Sequence, residues 1–113
     1  MVIVDLALAT ICFLNQCYPV LVGPDTPKGQ YQLVQRYVQS PGYGGDVLKF
    51  KEDKDGFYAI HRIWLLKPSQ HRNERLKSPN VKDHFITSGC INVDPEVYQK
   101  LVDCCSNDQL IIK

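Results

Sequence analysis

Only one long stretch of this chain, opening at Asp94-Pro95, repeats apolar residues at helical spacing; the residues before it are broken into short apolar runs by turn formers. Asp94 suits a helix N-cap and Pro95 the first helical position. Val97, Leu101, Val102 and Cys105 then recur on one inward face, and Ser106-Asn107-Asp108 ends the helix. Upstream, residues 2–5 and 10–14 read as strands, and 17–22 returns after a turn at Asn15-Gln16. Residues 23–29, rich in Gly and Pro, are punctuation. A strand is expected over 31–38, a flexible loop over 40–45, and a short extended piece over 47–50. The charged turn at 51–56 closes on Asp55-Gly56, a strong hairpin signal. In the strand over 57–63, alternation puts Phe57, Ala59, His61 and Ile63 on one face and Tyr58, Ile60 and Arg62 on the other. Residues 64–79 leave the sheet, with a short helix within 69–77, and 110–112 form a last strand. The pattern predicts a mainly β domain with one or two short helices.

At 113 residues the chain is expected to form one domain, 1–113, burying roughly two thirds of its unfolded surface. Hydrophobic residues at 44% and charged residues at 22% describe a globular chain rather than a disordered one. A formal net charge of +1 supplies no global field that would select nucleic acid or an acidic membrane. The apolar stretch 1–14 is too short to span a bilayer; with Asp5 and no basic leader it is also a poor secretory signal, so it reads as strand. Any export signal is expected to have been trimmed, or export to follow another route.

The chemistry concentrates at Thr87-Ser88-Gly89-Cys90-Ile91-Asn92. A glycine directly before a cysteine lets the backbone turn tightly under the thiol, and such a turn can leave N–H groups facing an oxyanion. His61 supplies a candidate base, and cysteine plus histidine is the minimum for covalent acyl transfer. His71 is the rival base, but it lies in a polar stretch, whereas a strand holds the His61 ring more rigidly. His84 reads as a surface or flanking residue. Five cysteines leave one thiol over, as a cysteine nucleophile requires. The other four, Cys12, Cys17, Cys104 and Cys105, read mostly as small buried apolar residues. If Leu14 pairs with Cys17, Cys12 sits diagonal to Cys17, a poor disulfide geometry. Cys104 and Cys105 are adjacent and point to different sides of a helix. No Cys-x-x-Cys occurs, and no zinc site is expected.

Three ordered segments resemble the catalytic domain of the L,D-transpeptidases, the YkuD-type cell-wall enzymes. Thr87, Gly89, Cys90, Ile91 and Asn92 match the family's Ser/Thr-x-Gly-Cys-hydrophobic-Asn/Arg signature. Thr26-Pro27-Lys28-Gly29-Gln30-Tyr31 is similar to its Thr-Pro-x-Gly-x-aromatic turn, and Tyr58-Ala59-Ile60-His61 to its Tyr-x-Ile-His strand end. The chain departs from the pattern at Ser88, where many members have His, and at Arg62, where many have Gly. The 29-residue spacing from His61 to Cys90 is longer than the common form. The resemblance implies a compact β-sandwich-like fold, Cys90 as nucleophile, His61 as base, and no metal or organic cofactor. It implies that Ser88 and Gly89 line an oxyanion site with the Cys90 amide, while Thr87 and Asn92 fix the loop and the substrate. It further implies a peptidoglycan stem tetrapeptide as acyl donor and an extracytoplasmic location, periplasm or cell wall.

Between His61 and Cys90 runs a basic segment carrying Arg62, Lys67, Arg72, Arg75, Lys77 and Lys82. It reads either as a solvated charged loop or as an anion-binding rim, with Arg72 and Arg75 the candidates for holding a stem carboxylate. Apart from Trp64 it lacks the interleaved aromatics of a nucleic-acid platform. Two alternatives to transpeptidation follow. One is a hydrolytic L,D-carboxypeptidase, in the form of a delivered antibacterial effector. The other is a non-catalytic binding module using the basic 62–82 loop.

Overall fold

The structure, a computed structural model, describes residues 1–38, 41–54 and 56–113. Among the described residues nine strands form two sheets, so the mainly β expectation holds. The first sheet has the order β3-β2-β1-β9-β4, from β1 (Val2–Asp5), β2 (Thr10–Phe13), β3 (Gln16–Pro19), β4 (Gly29–Gln32) and β9 (Gln109–Ile112). The second has the order β5-β6-β7-β8, from β5 (Val34–Tyr37), β6 (Asp46–Asp53), β7 (Gly56–Arg62) and β8 (Ile91–Val93). Each sheet is antiparallel except for one parallel pair, β1 with β9 and β7 with β8. Alternation along β1 and β2 buries Val2, Val4, Ile11 and Phe13, which meet Leu48, Phe50, Ile60, Ile91 and Val93 of the second sheet in one core.

The helix expected at Asp94 is α2 (Pro95–Cys105). The Asp94 carboxylate accepts from Glu96 N–H at 3.0 Å, and Pro95 occupies the first turn. Its buried face is Val97, Tyr98, Leu101 and Cys105. Tyr98 joins this face where the apolar spacing had pointed to Val102, which is only half-buried, because its ring lies under the Arg62 guanidinium, 4.2 Å away. The short helix expected within 69–77 is α1 (Arg72–Leu76), a single turn whose Leu76 packs on Leu21 and Ile63.

Several expectations need correction. The strand read over 17–22 ends at Pro19. Val20, Leu21 and Val22 then cross, fully buried, to the second sheet, where Leu21 bridges Asn92; Val22 bridges Phe85, which lies just after the 81–84 turn and outside both sheets. The strand read over 31–38 is two strands in different sheets. They are divided at buried Leu33, whose N–H donates to Asp108 O at 3.0 Å, so the chain turns a corner between sheets there. The turn read at Asn15-Gln16 lies one residue earlier: Leu14 (φ 51°) and Asn15 (φ 65°) form a two-residue connection with both φ positive. That shift pairs Phe13 with Gln16 and puts Cys12 directly opposite Cys17, so the two form a disulfide. Cys104 and Cys105 are also joined, and of the four residues read as mostly buried only Cys105 is. The flexible loop expected over 40–45 is, from Pro41 to Tyr43, a turn of 3-10 helix; Ser40 and the Asp55 position of the hairpin lie outside the described residues.

Candidate active site

The parallel pairing of β7 with β8 sets His61 beside Asn92 in register, two residues after Cys90. The turn ahead of β8 depends on glycine at two places. Gly89 has φ +133°, and a Cβ there would stand 2.7 Å from the Tyr58 ring. Gly23, on the buried crossing segment, lies so close to Thr87 that a Cβ would stand 2.0 Å from its carbonyl oxygen. The Thr87 hydroxyl ties the turn together: it donates to Cys90 O at 2.6 Å and accepts from Gly89 N–H at 3.2 Å. Thr87 therefore shapes the loop. The Gly89 amide, expected at the oxyanion site, is spent inside it.

Cys90 and His61 open into one cleft of about 250 Å³, lined also by Tyr43, Phe57, Trp64, Arg72, Thr87, Ser88 and Asn92. Cys90 is the one free cysteine among the described residues. Its thiol donates to Phe57 O at 3.8 Å. Burial pushes the thiol up from its ordinary range, opposed by the Ala59 N–H and by the charge of Arg72. His61 is 2% exposed. Its Nδ1 lies 2.6 Å from Arg62 O, which can only accept, so Nδ1 carries the proton and Nε2 the lone pair. Nε2 in turn receives the Asn92 side-chain amide at 3.3 Å. Burial pulls the imidazole from 6.5 down to about 4; the Arg62 hydrogen bond resists this and the Arg72 charge adds to it. At neutral pH the cleft thus holds a neutral thiol and a neutral imidazole, not a preformed ion pair.

That depressed value makes stability pH-dependent. The unfolded chain protonates its histidine near 6.5 and the folded chain near 4, so between these values the unfolded state binds more protons. Stability is full above 6.5 and is lost as pH falls toward 4, by up to about 3 kcal/mol. Urea midpoints measured at about pH 7 and about pH 4.5 are expected to separate strongly in the wild type and much less in His61→Gln. Equal separations would assign the acid lability to other groups.

Asn92 is completely buried and serves three partners: its side-chain oxygen accepts from Arg72 Nη1 at 2.8 Å and Trp64 N–H at 3.3 Å, and its amide faces His61. Arg72 is anchored further by Nε donating to the Gln70 side chain at 2.9 Å. Of the two arginines expected at an anion rim, only Arg72 reaches the cleft. Arg75 donates to Gln70 O at 2.9 Å and Asp83 O at 3.1 Å and holds the 70–83 loop together. Arg62 is likewise internal. It pairs with Asp46 at 2.9 Å and covers the Tyr98 ring, on the face of β7 opposite the cleft. The basic segment is therefore not one free cationic surface.

His71 is exposed, sits at a left-handed joint (φ 52°) and lies 3.9 Å from Glu74; it lines a neighbouring pocket that shares Trp64 and Arg72 with the cleft but not Cys90. His84, expected near the surface, is buried: Nδ1 lies 2.9 Å from Val20 O and Nε2 2.8 Å from Ser78 O, pinning the crossing segment to the loop. Sequence reading did not place Tyr43, whose ring meets the His61 ring edge-on at 4.6 Å, nor Trp64, 5.1 Å beyond it. Neither carries a local signal. Phe57 did share the His61 face by alternation. Among the described residues no group of three His, Cys, Asp or Glu side chains could hold a metal ion, and no helix is long and apolar enough to cross a membrane.

No protein-family model matches the sequence, and no curated protein sequence matches it. Solved structures do resemble the fold. An L,D-transpeptidase from Xylanimonas cellulosilytica superposes with a TM-score of 0.61 at 17% identity over 99% of this chain and 59% of that one. Bd1075 of Bdellovibrio bacteriovorus gives 0.64 at 17% identity over 100% of this chain and 47% of the other. An L,D-transpeptidase from Mycobacterium smegmatis gives 0.55 at 17% over 99% and 57%. The chain has the L,D-transpeptidase fold. It spans about half to three fifths of the length of these structures.

Proposed function

We propose that this chain carries out cysteine-dependent acyl transfer on peptidoglycan stem peptides. The observation that carries the reading is the shared cleft of Cys90 and His61 within this fold, with one anchored arginine on its wall. His61 Nε2 gives up its hydrogen bond from the Asn92 amide and takes the Cys90 proton as the sulfur attacks the carbonyl at the L-centre of diaminopimelate in a stem tetrapeptide. The N–H groups of Ser88 and Cys90 receive the oxyanion, each contributing about 3–4 kcal/mol. The imidazolium returns its proton to the departing D-Ala amine, leaving a thioester on Cys90. An amine then takes the acyl group in a cross-link, or water takes it in a carboxypeptidase reaction. No metal or organic cofactor enters this scheme. Two disulfides suit the oxidising compartment outside the cytoplasm where such a substrate is found.

Incubation with purified muropeptides followed by mass analysis tests the reading. The expected products have lost D-Ala, with or without a new cross-link, and a carbapenem leaves a stoichiometric adduct on Cys90. Intact muropeptides and an unlabelled protein would return the chain to the binding-module alternative.

A substrate contact at Arg72 has its own consequence. Arg72→Ala is expected to raise KM for stem peptides with a free carboxylate more than for amidated ones. Arg75→Ala, whose guanidinium is committed to loop carbonyls, is expected to lower stability without changing that preference. Equal losses on both substrates for Arg72→Ala would remove the carboxylate contact.

A further inference from the structure

A base that takes a proton during the reaction must rest unprotonated, with its lone pair on the reacting nitrogen. Here that state is imposed from two sides. On one side Arg62 O fixes the proton on Nδ1. On the other, the Asn92 amide donates to Nε2, and its orientation is no accident of the side chain itself. Turning the amide over would set its NH₂ against two donors, Arg72 Nη1 at 2.8 Å and Trp64 N–H at 3.3 Å. Arg72 is the shorter and charged contact, and its own position is set by Gln70.

We propose that Arg72 is a positioning residue that acts through Asn92 on His61: by locking the Asn92 amide with its NH₂ toward Nε2, it keeps the base neutral and its lone pair on that nitrogen. This rests on the reading that His61 serves Cys90. A protonated Nε2 would face the Asn92 NH₂ donor to donor, so the lock opposes protonation at rest. Released from Arg72, Asn92 can turn its oxygen to Nε2 and favour the protonated ring. The result is a base that stays unprotonated into mildly acidic conditions. The other charged or titratable groups around the ring are few. Cys90 comes from the turn before β8 and Tyr43 from the 3-10 turn, while the Arg62 side chain is directed to Asp46 on the other face.

Two effects of Arg72 must be separated, its charge and its hydrogen bond. Arg72→Ala removes both. Arg72→Gln removes the charge but keeps an N–H that can hold the Asn92 oxygen. The ring nitrogens of His61, followed by ¹⁵N NMR across pH in the resting protein, report the tautomer and the titration midpoint. In the wild type at neutral pH the proton is expected on Nδ1 and not on Nε2. In Arg72→Ala the midpoint is expected to rise by about one pH unit or more, and Arg72→Gln to recover at least about half of that rise. The acid limb of the pH–rate profile for Cys90 is expected to move with the midpoint. A proton on Nε2 in the wild type, an unmoved midpoint in Arg72→Ala, or identical titrations in the Ala and Gln variants would each overturn the proposal. Because the NMR titration needs no substrate, absence of muropeptide turnover would count against the proposed function and leave this relay standing.

Discussion

Cys90→Ala is expected to abolish turnover on muropeptides while the fold persists. The change removes a sulfur whose protein contacts are weak, the Phe57 carbonyl at 3.8 Å and the Ala59 N–H. The turn that presents it is held by other groups: the Thr87 hydroxyl grips Cys90 O and Gly89 N–H, and neither bond uses the sulfur. No second thiol is free among the described residues, so none can replace it. The rate loss should be on the order of 10⁴-fold or more, as when a covalent nucleophile is deleted. The check is product analysis by mass, beside circular dichroism of the variant. Normal dichroism with unchanged turnover would end the thioester mechanism.

The second large effect is expected at His61. His61→Ala should slow the reaction by about 10²–10⁴-fold, the usual contribution of a positioned base. His71→Ala should cost little. The two differ in how firmly they are held. His61 is buried on β7, its Nδ1 fixed by Arg62 O and its ring braced by Tyr43. The His71 ring projects into solvent from a one-residue joint, and among the described residues its side chain pairs only with Glu74, at 3.9 Å. If the rate losses came out reversed, the rigid strand position would not be what selects the base, and the shorter sequence spacing of His71 to Cys90 would be.

Much of the candidate site was legible because its residues sit in local motifs. The Gly89-Cys90 turn and the His61 strand each announce themselves within a few residues, and alternation along β7 put Phe57 and His61 on one face. Arg72 was separated from Arg75 only by three-dimensional placement, since both stand in the same polar stretch and differ in where the loop folds back. Asn92 was noticed as a neighbour of the cysteine, but its three-way role needed the parallel pairing of β7 with β8. The strand β8 itself is three residues long, too short for periodicity to reveal, and it exists because β7 supplies its hydrogen bonds.

Local chemistry along the chain by itself determined α2, through the Asp94 cap and the apolar spacing behind it. It also determined the mainly β character, through short alternating runs between turn residues, and the cysteine turn, through Gly89. These features depend on forces acting over a few residues, so the order of residues is enough to reveal them. Only the tertiary structure decided the corner at Leu33, the buried crossing at Val20-Leu21-Val22, and the burial of His84 between Val20 and Ser78 carbonyls. It likewise decided the direct opposition of Cys12 and Cys17, where a one-residue shift of turn register brought together two thiols that the other register keeps diagonal. In each case the deciding partner is a backbone group or side chain brought in by the packing of two sheets. The free energy that selects the arrangement is the burial of a shared apolar core, a property of the assembled sheets that no single segment carries.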